Sequence, residues 1–138
     1  MKQKWMILFL VIFLPNIAKA QPSMVAVCEG GSTQSIRTEY TLEKGFEVTK
    51  DRATLPMIVY TFDSPKKGSV RITSGKNEMT GAVIKDYASY KTVVYIMGGV
   101  PYMDTIFFDT GVVFITEHKD LFGAQIAATY RMKCRIEK

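Results

Sequence analysis

Few residues in this 138-residue chain have the type and spacing to do chemistry, and the two cysteines come first. Cys28 and Cys134 stand near opposite ends of the chain, without the C-x-x-C spacing of redox exchange and without the further thiols a zinc site needs. Two thiols so placed make one structural disulfide, tying the beginning of the chain to its end. Asp109 is next, in Phe108-Asp109-Thr110-Gly111. A carboxylate on such a turn does hydrolytic work only when a second carboxylate shares its proton. The tripeptide occurs once, close to the C-terminus, so it reads as a hairpin turn in which Asp caps and Gly supplies positive φ. His118 is the only histidine, between Glu117 and Lys119 and near Asp120. Neighbours on a strand point to opposite sides, so Glu117 and His118 do not converge as acid and base. No serine sits in a G-x-S-x-G context and no Gly-rich loop opens a helix. The expectation is no catalytic residue, no metal and no cofactor.

The elements that would position any site are strands. Residues 125–134 place Ile126, Ala128, Tyr130, Met132 and Cys134 on one side and Gln125, Thr129, Arg131 and Lys133 on the other. This period of two marks a half-buried antiparallel strand. Shorter strands are expected over residues 24–29, 35–42, 57–63, 69–73, 80–86, 91–97, 103–108 and 112–117, separated by Gly-, Pro- and Asp-containing turns. Over residues 43–56 the pattern fades into a solvated excursion, with at most a brief strand at Phe46 and Val48. The fold class is therefore all-β: an antiparallel meander of about eight to ten strands, forming a small closed or partly open β-barrel, with a β-sandwich as the alternative. The disulfide favours closure, because an up-and-down barrel sets its first and last strands side by side. Ile36, Tyr40, Val70, Ile72, Tyr130 and Met132 are the expected interior residues.

Three strands carry more apolar residues than one face needs. Val94, Ile96, Ile106, Phe108, Val113 and Ile115 are the surplus, and an antiparallel sheet with a wet face should not have them. They mark a candidate interaction face, covered by the chain itself, by a protein partner or by a second copy in a homodimer. Tyr102, Leu121 and Phe122 are apolar residues in segments expected to be loops, and would rim a ligand mouth or anchor a partner.

Residues 1–20 read as a cleaved signal peptide: Lys2 and Lys4, an apolar run from Trp5 to Leu14, then Ala18-Lys19-Ala20 before Gln21. The apolar run is shorter than the ~20 residues a membrane span requires, so no stable membrane span is expected. Residues 21–138 form a single all-β domain, secreted or periplasmic. Removing Lys2, Lys4 and Lys19 lowers the basic count from 18 to 15 against an unchanged 13 acidic residues, a net of +2 rather than +5. That near balance argues against nucleic acid as a partner. The reading that follows is an exported cell-envelope binding or interaction module. The alternatives are a small apolar-ligand or lipid carrier with a lipocalin-like barrel interior, although the Gly-x-Trp signature of lipocalins is absent, and, less favoured, a hydrolase. The expected mass of the exported protein is that of a chain beginning at Gln21; intact-mass spectrometry finding residues 1–20 retained would refute the signal.

Overall fold

The computed structural model describes residues 24–62 and 68–138. The expected signal, its cleavage site and the turn at residues 64–67 lie outside them. Among the described residues ten strands follow one another: β1 (Met24–Cys28), β2 (Gly31–Thr41), β3 (Gly45–Leu55), β4 (Ile58–Phe62), β5 (Ser69–Ser74), β6 (Asn77–Asp86), β7 (Tyr90–Met97), β8 (Val100–Phe107), β9 (Val112–Leu121) and β10 (Ala124–Glu137). All pairings are antiparallel, in the order β1-β4-β5-β6-β7-β8-β9-β10-β2-β3, and β10 also pairs with β1. The result is a closed eight-stranded barrel with two additional strands, β2 and β3, carried on the side of β10.

The strands form for the reason their alternation announced. In β5, Val70 and Ile72 face in while Arg71 faces out. Tight turns connect them; between β7 and β8 the chain reverses through Gly98 and Gly99, both at positive φ, the geometry a two-residue hairpin turn asks for. The interior is filled by Ala26, Cys28, Ile58, Tyr60, Phe62, Val70, Ile72, Val93, Tyr95, Ile106, Val113, Ile115 and Met132. Eight strands leave an interior just wide enough for such side chains to occupy.

Residues 24–62 are one long hairpin. The register that sets Cys28 opposite Ile58 continues to Gly31 opposite Leu55 and on to Thr41 opposite Gly45. Its root, β1 with β4, is barrel wall; its outer half, β2 with β3, leaves the barrel. The departure point is visible on β10, where Cys134 pairs with Cys28 but Tyr130 pairs with Ser35. Six residues of the hairpin arm therefore span three of β10. An odd surplus reverses the side-chain alternation, so the side of the ribbon that faces the interior at Ala26 and Cys28 becomes the outer surface at Ile36 and Tyr40. Gly30 makes this possible: a Cβ there would stand 2.6 Å from the Met57 nitrogen, and Gly31 follows at φ 129°.

Three expectations need correction. Ile36 and Tyr40 are on the outer surface, not in the interior, because of this reversal. Residues 45–55 form an eleven-residue strand rather than a loop; exposed on both faces, it has no need of alternating hydrophobicity. β8 begins at Val100 and β9 runs to Leu121, so the expected loops around Tyr102 and His118 shrink to tight turns.

Cys28 and Cys134 are bridged, 106 residues apart in sequence and directly opposite in register. The bridge sits where β10 passes from one neighbour to the next. Closing a loop of that length restricts the unfolded chain by about 4–5 kcal/mol. Cys28→Ser or Cys134→Ser should lower stability by a few kcal/mol in chemical denaturation; a loss below about 1 kcal/mol would show that the barrel closes without help from the bridge.

Candidate functional site

Two regions have the chemistry to engage something. The first is the barrel mouth. Glu117 of β9 is almost fully buried, and its carboxylate accepts three hydrogen bonds: from the Tyr102 hydroxyl to Oε2 at 2.9 Å, and to Oε1 from the Tyr130 hydroxyl at 2.8 Å and Lys119 Nζ at 2.9 Å. Burial pushes its pKa up, but the hydrogen bonds from Lys119, Tyr130 and Tyr102, with the Lys119 charge, outweigh this and hold it below the usual carboxylate range. Burial and the same carboxylate raise the Tyr130 hydroxyl to about 12. Tyr102 stacks on Tyr95, ring centroids 5.2 Å apart. A cleft of about 320 Å³ opens here, lined by Leu55, Pro56, Ile58, Tyr95, Tyr102, Glu117 and Tyr130 among others.

Deeper in the barrel, Asp104 has no exposed surface, and its Oδ2 accepts a 2.6 Å hydrogen bond from the Tyr60 hydroxyl. Among the described residues its Oδ1 has no hydrogen-bond partner. Burial raises the carboxyl to about 7, and the Tyr60 hydrogen bond and the Tyr95 hydroxyl only partly offset this. A protonated Asp104 is thus the form the interior accommodates near and below neutrality.

The second region is the outer surface shared by β7, β8, β9, β10, β2 and β3. Register places Val94 beside Met103, Thr105 beside Phe114, Thr129 beside Ile36, and Tyr40 beside Phe46. Thr92 pairs with Thr105 at 3.1 Å and Thr116 with Thr129 at 3.4 Å, a polar ladder among apolar neighbours. Large apolar side chains stand out from this surface: Ile96 is 69% exposed, Phe46 76% and Val48 65%. Beside them a groove of about 570 Å³ includes Ile36 and Phe114 together with Lys50, Arg52 and Arg131.

The residues singled out from sequence are distributed between these regions. Of the six surplus apolar residues, Val94 and Ile96 face outward. Ile106, Val113 and Ile115 are buried in the barrel, and Phe108, in the turn after β8, packs against the core. The six therefore do not share a face. Tyr102 points into the mouth, whereas Leu121 and Phe122 stand at the tip of the β9–β10 hairpin, Phe122 at φ 54° and fully exposed. They do not meet at one rim. Asp109 lies exposed in its turn, and His118 is exposed on the side of β9 opposite Glu117. Among the described residues no group of three His, Cys, Asp or Glu side chains is arranged to hold a metal ion, and no helix is long and apolar enough to cross a membrane. Asp104 was missed in the sequence, though its two-residue spacing from Ile106 puts both on the same side of β8. Phe46, Val48 and Lys50 were not singled out, because at most a brief strand at Phe46 and Val48 was expected where an eleven-residue strand runs.

Compared with protein-family models, curated proteins and solved structures, the chain finds no match in any of the three.

Asp104 generates a pH prediction. Unfolded, its carboxyl ionises near 4; folded, it holds its proton to about 7. Between these values the folded state binds more protons, so stability is greatest below pH 4 on this account and falls by a few kcal/mol as pH rises to 7. Glu117, whose pKa is lowered, acts oppositely and only at lower pH, where its contribution fades as it protonates. Asp104→Asn, which keeps an acceptor for Tyr60, should flatten the decline between pH 4 and 7 in denaturation curves; an unchanged slope would show that Asp104 ionises freely.

Proposed function

We propose that the protein is an exported binding module of the cell envelope that engages a protein partner through the outer surface of β7 to β10 and the β2–β3 extension. The observation that carries this reading is a contrast: the barrel interior is occupied by its own side chains, while Ile96, Phe46, Val48 and Ile36 face solvent. Exposed apolar residues spread along this surface, with Lys50, Arg52 and Arg131 beside Ile36 and Phe114, are the composition of an interaction site. The secreted or periplasmic location draws on the N-terminal pattern and on the disulfide, which persists in oxidising compartments.

A carrier of apolar ligands or lipids is favoured less. Tyr60, Ile72, Val93, Ile106 and Val113 fill the space a ligand would need, and the remaining cleft at the mouth presents Glu117 and three tyrosines. A hydrolase is favoured less again, because Glu117 is occupied by three donors and Asp104 is sealed beneath Tyr95 and Tyr60.

A photo-crosslinking residue at Ile96 or Phe46 should yield a protein adduct of defined mass in cells, and one at Glu78 on β6 should not. Ile96→Lys should fold with a thermal midpoint within about 2 °C of wild type, since surface changes usually cost less than ~0.5 kcal/mol. In that background the adduct formed from Phe46 should be lost. Equal adducts with and without Ile96→Lys would remove the basis of the reading.

A further inference from the structure

Among the described residues β3 is the one strand with a single sheet neighbour; β10 has three and every other strand two. Its eleven residues span ~35 Å of extended backbone, with one row of N–H and C=O groups outside any ladder. We propose that this edge is where the partner binds, by adding an extended segment as a further antiparallel strand, and that the segment carries acidic residues opposite Lys50 and Arg52 and apolar residues opposite Phe46 and Val48. The proposal rests on the partner-binding reading above and specifies its chemistry.

The side-chain rows of β3 set that pattern. Facing the outer surface are Phe46, Val48, Lys50 and Arg52, whose cross-strand neighbours on β2 are Tyr40, Thr38, Ile36 and Gln34. No acid stands beside either cation on this row; Arg52 Nε donates to the Ser32 hydroxyl at 2.9 Å instead. The opposite row carries Glu47 directly across from Glu39, and like charges so placed are unfavourable. Arg37 relieves Glu39 at 2.8 Å, leaving Glu47 without a cation across the ladder. An incoming strand with acids on the outer row and a base opposite Glu47 would satisfy both rows at once. Main-chain hydrogen bonds would supply affinity and these alternate side chains the selectivity.

The same charges disfavour a second copy as the occupant. A two-fold antiparallel pairing must set residues of one face opposite residues of the same face. Centred on Lys50, it opposes Lys50 to itself. Centred on Asp51, it opposes Asp51 to itself and Lys50 to Arg52. Centred on Thr49, it opposes Glu47 to Asp51 twice. Only shorter overlaps, centred on Val48 or near either end of the strand, escape like-charge contact. Charged edges that block self-association are a common protection of open sheets, and here they leave room for a strand of complementary charge.

The experiment is selection of displayed twelve-residue random peptides on the folded full-length protein, followed by amide hydrogen exchange with the best peptide bound. Expected are peptides with acidic and apolar residues at alternating positions, protection concentrated in β3, and binding weakened about tenfold in Lys50→Glu/Arg52→Glu, with a shift toward basic peptides on reselection. Peptides that protect β7 and β8 but not β3 would overturn the edge proposal while leaving the outer-surface reading intact. Phe46 adducts that form equally with and without Ile96→Lys, while peptides still protect β3, would do the reverse. A dimer in light scattering with β3 protected would make a second copy the occupant and overturn the proposal. So would vesicles of anionic phospholipid that bind and protect β3 where no peptide does, or a selection that enriches no peptide at all.

Discussion

Everything in this fold depends on one strand having too many neighbours. β10 is long enough to pair with β9 along one side and to divide the other side between β1 and β2. Its pairing with β1 closes the barrel; its pairing with β2 carries the extension. At the handover the Cys28–Cys134 bridge and the Glu29 to Lys133 backbone hydrogen bond at 3.0 Å hold β1 in place, just before Gly30 and Gly31 redirect the chain. Covalent closure on one side of the junction lets the other side depart.

Polar groups inside the barrel are handled in two ways. Glu117 is given donors until its charge is satisfied, and in exchange it ties β8, β9 and β10 together around the mouth through Tyr102, Lys119 and Tyr130. Asp104 accepts from the Tyr60 hydroxyl, and burial holds its proton up to about 7. The first arrangement stiffens the base from which the extension rises. The second leaves a group in the core whose charge state the medium sets.

Most of the architecture was legible in the sequence, since closed barrels demand strict alternation and most strands here obey it. The alternation of residues 125–134 located β10, and the positions of Cys28 and Cys134 implied that first and last strands meet. What escaped had physical reasons. β3 touches solvent on both faces, so no selection for a buried row marks it. Ile36 and Tyr40 look like core residues in isolation; only a three-residue surplus against β10, which no local pattern reveals, turns them outward. Val113 and Ile115 were grouped with Ile96 because strand parity is relative, and its absolute sense comes from pairing partners. The candidate site was less legible than the fold, for it is built on the strand and the reversal that sequence periodicity does not report.

The separation of 106 residues between the bridged cysteines also has a kinetic meaning. A chain threading out from its N-terminus can pair β1 with β4 and assemble the meander onward, because those contacts are between neighbours. It cannot close until the last strand arrives, and non-local closure is the slow part of folding such topologies. Until then Cys28 has no intramolecular thiol to meet, since Cys134 is the only other one in the chain. Oxidation therefore cannot trap a wrong pairing within the chain; the one bridge available to it is the one that ties the first strand to the last.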